Sequence, residues 1–411
     1  MPRRLAFFSP FHSLRLKKYK QVKPPNPPET FPFLKLPHFP LKYVINQMDF
    51  IDVIHLTMKC KRFKRAVESA KFHVDQLHFH LGKWYKNIVI THQGRELQIE
   101  VEYREGGYGS TGLKLNGVDT PICYWRSTDM KVFAESEGAR MDVLDEITQH
   151  LLNILWVRKF TARFNIKNDY ENLFIWKYTR KLGKFKIEPL AESEIVVSPK
   201  ELHFLLEEIK IDYLELDLKV ENGYKYPKNP LQGSKVYITN NGWIDWDKLT
   251  IGPDCVQFTF HQHNTTGNFW MPNTCGNRLL KEWIAGKNDK LEEMTFQVKD
   301  FFAEPESNAD LFEGITTTVT TFSRKQLEKR RVWRCGMLPI LDIRRSTDGR
   351  LGTISRYKYL VFLYVWHPKH IDELKDVVEA VVEDETDEEM EDETEDEVED
   401  ETEDETEEEL E

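Results

Sequence analysis

Residues 31–70 read FPFLKLPHFPLKYVINQMDFIDVIHLTMKCKRFKRAVESA. Pro37 and Pro40 favour an extended approach and then a helix start, because proline fits the first helical turn. Leu41, Val44, Ile45 and Met48 recur at helical spacing. Asp49 suits the N-cap of a second helix. Ile51, Val53, Ile54, Leu56 and Met58 are too dense for one face, so this helix is expected to be buried on several sides. The third segment, Lys59 to Lys71, sets Phe63, Ala66 and Val67 against six cations (Lys59, Lys61, Arg62, Lys64, Arg65, Lys71). Three helices this short cannot bury all that apolar surface against one another. The surplus calls for a partner protein or for packing on the downstream domain.

The chain has 411 residues, 40% hydrophobic and 12% aromatic, enough for one large or two smaller domains. No apolar run approaches the ~20 residues of a membrane span. At the start, Leu5 to Phe8 is too short for a signal-peptide core, and PPNPP at 24–28 reads as a stiff linker in a basic, disordered arm, 1–30. The cysteines (60, 123, 255, 275, 335) are scattered without a C-x-x-C pair, which implies a reducing cytoplasmic or nuclear compartment. The Asn264-Thr265-Thr266 sequon is then idle.

The net charge is −12, but 22 acidic and no basic residues lie in Glu383 to Glu411, leaving +10 on residues 1–382. Of that, +6 sits in the first thirty residues, so the body is near neutral and no strongly basic nucleic-acid surface is indicated. The tail consists of seven successive tetrads of three acidic residues and one other. Self-repulsion at this density predicts disorder over 371–411.

Between the ends, residues 73–139 are expected to be β-rich: Trp84-Tyr85, Ile88 to Ile90, Leu97 to Tyr103, Leu113 to Leu115 and Ile122 to Trp125. Residues 140–370 then alternate helix and strand. Helices are expected at 141–157, 170–179, from the Ser198-Pro199 cap to Glu208, at 274–285 and at 323–331. Strands are expected at 161–166, 184–187, 212–219, 256–260, 291–298 and 357–366. Short links between alternating elements predict an α/β fold with mainly parallel strands. The form L-x-x-L-x-L near 213 and 291 resembles a leucine-rich-repeat arc, at an irregular spacing of roughly 24 to 45 residues. An ordinary α/β sandwich is the alternative. Trp283, Leu291, Met294 and Phe296 are the expected core.

Leu36-Pro37, Leu41 to Ile45, Met48-Asp49, Asp52-Val53-Ile54-His55-Leu56 and Cys60 to Phe63 together resemble an F-box. Asn277 to Ile284 (NRLLKEWI), with Gly286, Leu291 and Glu292, is similar to the core of the F-box-associated type 2 domain. Asp342-Ile343-Arg344-Arg345, Asp348-Gly349-Arg350 and Thr353-Ile354 are similar to that domain's closing segment, with Gly352 where alanine is usual; Tyr364 to Trp366 fits the strand that follows. The combination is typical of a nematode-expanded family. The resemblance covers about 31–72 and 195–366. It implies a three-helix F-box at 31–72 that docks a Skp-type adaptor of a cullin ubiquitin ligase through Leu36, Pro37, Leu41, Val44, Ile45, Met48, Ile51 and Ile54. The C-terminal domain would then hold a protein substrate that the sequence does not identify. Rival readings are a repeat-type scaffold capped by the three helices, and an acidic chaperone for a basic protein such as a histone.

No constellation for catalysis, cofactor or metal is read. Gly107 to Gly112 fits G-x-G-x-x-G, but strand and turn follow it where a dinucleotide site needs a helix N-terminus. His261 and His263 with Cys275 lack a fourth zinc ligand. Cys60 reads as packing. Arg344, Arg345 and Arg350 with Asp342 and Asp348 read as a turn held by ion pairs.

Overall fold

The structure, a computed structural model, describes residues 33–103, 113–115, 118–120, 122–126, 128–190, 193–228, 231–261, 270–298, 309–329, 340–357 and 359–373. The basic arm, the acidic stretch from Glu383, the 107–112 glycine loop and His263 lie outside these residues.

Three helices open the described chain: α1 (His38–Gln47), α2 (Phe50–Lys59) and α3 (Lys61–Ala70). Lys71, left-handed at φ 54°, ends α3, and the next residue begins a strand. The main sheet contains, in chain order, β1 (Phe72–Leu81), β2 (Lys86–His92), β3 (Arg95–Tyr103), β4 (Ile122–Arg126), β5 (Asp129–Ala134), β6 (Leu155–Phe164), β7 (Lys184–Ile187), β8 (Tyr213–Leu216), β9 (Lys235–Ile238), β10 (Gln257–Phe260), β11 (Glu293–Gln297), β12 (Thr318–Val319), β13 (Leu341–Arg344), β14 (Leu351–Tyr357) and β15 (Leu360–Val365). Their spatial order is β12-β13-β14-β15-β11-β10-β9-β8-β7-β6-β1-β2-β3-β5-β4.

The protein is therefore a mixed α/β fold on one large sheet. From β1 through β6 to β11 the pairing is parallel throughout. The strands β11 to β15 close it as an antiparallel meander, so the expected parallel pairing does not extend to residue 370.

Register follows from the apolar alternation. Phe79, Ala162, Phe185, Leu214, Val236, Phe258 and Met294 are paired strand to strand and all buried. The same column runs on through Ile88, Ile99 and Met130 on one side and Leu363 and Ile354 on the other. The segments between strands cover this face. Phe79 meets Phe174, Phe164 meets Tyr170, Phe185 meets Trp176 and Phe260 meets Trp246, with ring centroids 5.3–6.5 Å apart. Removing such a side chain from water contributes about 1.5–3 kcal/mol.

The connecting segments differ from expectation in detail. Trp84-Tyr85 fall in the bend between β1 and β2 and not in a strand. Helix α4 (Arg140–Ile154) stops three residues early, because Leu155 to Val157 pair with Phe72 to Val74. Residues 170–177 form two 3-10 turns, not a helix. Ser198 and Glu201 form a reciprocal capping box at α5 (Pro199–His203), which continues as a π turn over Phe204–Glu208. Helix α6 (Asn273–Ile284) carries Trp283 into the core beside Leu291, Met294 and Phe296, each at 0% exposure. The boundaries expected at 72/73 and 139/140 fall inside one continuous hydrophobic core and one sheet. Residues 368–373 are helical, so 371–373, expected to belong to the disordered tail, continue a helix instead.

Gly352 lies under the Trp283 indole: a Cβ there would sit 2.8 Å from Trp283 Cη2 and 2.9 Å from Leu363 Cδ1. Trp283→Ala should lower stability by about 3–5 kcal/mol. Gly352→Ala should cost about 1–3 kcal/mol through overpacking. In a Trp283→Phe background the same glycine substitution should cost less, because the clashing ring atoms are gone. Denaturant unfolding of the double-mutant cycle measures this coupling; strict additivity would contradict the packing described.

Candidate functional site

The three N-terminal helices form the most distinctive surface. Phe33–Lys35 make one 3-10 turn, pinned where the Phe33 ring meets Phe63 at 6.1 Å. Pro37, at ψ 156°, is the extended residue before α1. The inner side of α1 carries Ile45, fully buried, with Leu41 and Met48 packed on the core. Its outer side carries Phe39 and Tyr43, four residues apart and 81% and 68% exposed. Leu34 and Leu56 are also exposed, as are Pro37 and Pro40.

Helix α2 is buried on several sides, as its apolar density requires: Phe50, Ile51, Val53, Ile54, Thr57 and Met58 are all inside. Its cap is Asp49, whose carboxylate accepts the Ile51 N–H at 2.9 Å and pairs with Arg95 of β3. Burial pushes the Asp49 carboxyl up, but the Ile51 N–H and Arg95 outweigh it and hold the group below the ordinary carboxylate range. Cys60 caps α3, its sulfur accepting the Phe63 N–H at 3.4 Å, which agrees with a packing role. On α3, Phe63, Val67 and Ala70 are buried while Lys61, Arg62 and Arg65 are exposed.

The helices are tied to the sheet through α4. Thr57 Oγ1 donates to the Ile54 carbonyl at 2.7 Å and meets His150 Nε2 at 3.2 Å. His150 is 1% exposed, and burial, with Lys64 nearby, pushes its imidazolium down to about 4.

The eight residues expected to face an adaptor are thus divided. Ile45, Ile51 and Ile54 are interior, at 0%, 4% and 0% exposure, and hold the helices against the rest of the protein. That corrects their assignment to an outer face. Leu36, Leu41, Val44 and Met48 are half-buried, and Pro37 is exposed. Phe39 and Tyr43 were not among the eight. The signal for them is in the sequence: two aromatics at i and i+4, on the side of α1 away from Ile45.

Elsewhere, Cys275 is buried beside Arg278, and burial pushes its thiol up to about 11. Among the described residues no group of three His, Cys, Asp or Glu side chains is placed to hold a metal ion. No helix among the described residues is long and apolar enough to cross a membrane. No protein-family model, no curated protein and no solved structure matches the chain.

The folded His150 binds its proton near pH 4, the unfolded histidine near 6.5, so on acidification the unfolded chain takes up the proton first. Stability contributed by neutral His150 is complete above pH ~6.5 and is lost as pH falls towards 4. The loss should be on the order of 1–3 kcal/mol. Chemical unfolding at pH 7, 5.5 and 4.5 should show a shallower decline for His150→Gln than for the native chain; an unchanged slope would exclude His150 as a contributor.

Proposed function

We propose that the chain is a substrate-recognition subunit of a Skp–cullin–F-box type ubiquitin ligase and performs no chemistry itself. The observation that supports this most is the outer surface of α1, where Phe39, Tyr43, Pro37 and Leu34 stand exposed on a helical unit whose inner face is already filled. Exposed aromatics on a rigid helix supply anchors at little entropic cost. The motif resemblance at Leu36-Pro37, Met48-Asp49 and Asp52 to Leu56 points to a Skp-type adaptor as the partner.

On this reading residues 140–370 are an irregular, leucine-rich-repeat-like arc that carries the substrate. Its parallel strands begin at residues 155, 184, 213, 235, 257 and 293; every interval but the last falls within the ~20–29 residues of such a repeat. All connecting rings named above lie on one face of the sheet, as expected when a solenoid leaves its other face open. A second reading, a scaffold capped by α1 to α3, draws on the burial of Ile45, Ile51 and Ile54.

Adaptor capture separates the two. Phe39→Asp with Tyr43→Asp should weaken binding of a purified Skp-type adaptor by about 2–4 kcal/mol, which is roughly 30- to 1000-fold. The circular dichroism should not change, since both side chains are exposed. Adaptor binding that survives the double substitution, or that the native chain never shows, would sink the ligase reading.

A further inference from the structure

Besides α3, the near-neutral body carries a strongly basic section on its sheet. Residues 156–187 hold nine Lys or Arg and two acidic residues. On the sheet face opposite the apolar column, their strands set His78, Thr161 and Lys184 in adjacent positions, then His80, Arg163, Lys186 and Glu215 one step further. A cavity of about 420 Å³ opens there, lined by Lys159, Arg163, Lys184 and Lys186 with His78 and Thr161, and by one carboxylate, Glu96. A second cavity of about 470 Å³ shares Lys159 and adds Arg158 and Lys181, with Asp212 as its one carboxylate. The Lys159 stem crosses directly over Gly183, where a Cβ would meet its Cε at 1.9 Å.

Local carboxylates offset only part of this charge. Arg163 pairs with Glu188 at 2.5 Å, and Lys186 with Glu215 and Glu188 at 2.6 and 3.0 Å. Lys184 reaches Glu215 only at 3.7 Å and rests 4.4 Å over the Tyr213 ring. Lys159 makes no ion pair among the described residues. The surplus is felt inside: burial, then His80, Arg163 and Lys184, hold the His78 imidazolium down to about 4.

We propose that this basic cavity is the docking site for the chain's own acidic C-terminal segment, 383–411, which covers the open sheet face and must be displaced before another acidic segment can bind there. Charge complementarity argues for it: 22 carboxylates and no cation on one side, a section with nine Lys or Arg against two acidic residues on the other. Reach argues for it too. The described chain ends at residue 373, just after Lys369 pairs with Glu292 beside β11. From β11 to β7 is four strand steps in the sheet, roughly 19 Å at ~4.8 Å each. Residues 374–383 span up to roughly 33 Å when extended. The contact does not depend on the adaptor reading, since it involves none of α1 to α3.

The test uses the full chain and a full-length variant whose tail Asp and Glu residues are replaced by Asn and Gln. A labelled peptide copying 383–411 should bind the neutralised-tail chain at low salt, at least tenfold more weakly at 500 mM salt, and at least tenfold more weakly to the native chain. Adding Lys159→Glu and Lys184→Glu to the neutralised-tail chain should cost at least tenfold; adding Arg62→Glu and Arg65→Glu on α3 should not. Equal binding to native and neutralised chains overturns the proposal, and so does an equal loss from the α3 variant. Zero-length carbodiimide coupling of the native chain needs no substitution. It should join tail carboxylates to Lys159 or Lys184, with Lys186–Glu215 as internal control. A digest showing the control link without the tail links overturns it independently.

Discussion

A single apolar column, running from Met130 through Phe79, Phe185 and Phe258 to Ile354, sets everything else in this protein. Strand side chains alternate with period two, so a slip of one residue anywhere along the column would turn a whole strand's apolar set to solvent. The column therefore fixes the register of strands far apart in sequence. Fixing one face fixes the other. His78, Thr161, Lys184, Arg163 and Lys186 are neighbours because Phe79, Ala162 and Phe185 are. The basic cavity is thus a by-product of hydrophobic register, and its stability is that of the core beneath it.

Where local chemistry decided the structure, the sequence was readable. Asp49 caps α2 and Ser198 with Glu201 caps α5 because a short side-chain oxygen is the cheapest partner for free backbone N–H groups. Asp348-Gly349 turns with Gly349 at φ 71°, and Arg345 and Arg350 lean on Asp348 as the spacing suggested, whereas Asp342 accepts from the Thr353 hydroxyl and Arg344 reaches the Gly349 carbonyl. Trp283, Leu291, Met294 and Phe296 are interior as their periodicity required.

Where tertiary pairing decided, the sequence was silent. Strand β1 shows no sequence period because its burial changes parity: Phe72 and Val74 are buried, then Leu77, Phe79 and Leu81, so no single alternation spans it. Leu155 to Val157 continue a helical pattern, and only their pairing with β1 draws them into a strand. The four residues of β9 are too short to show a period. At the candidate site the same limit applies. Ile45, Ile51 and Ile54 looked like surplus surface because α4 and the sheet that absorb them lie far along the chain. Phe39 and Tyr43, the real surplus, were legible only once that inner face was assigned.

Lys71 turns the chain from α3 straight into β1 with no intervening linker. Together with the Thr57–His150 contact, this makes the three helices and the sheet one lever rather than two bodies on a tether. The Phe39–Tyr43 surface therefore stands at a set distance and angle from the basic face. Reach between the two is a property of backbone geometry, and a flexible insertion at Lys71 would alter it without touching a single surface contact.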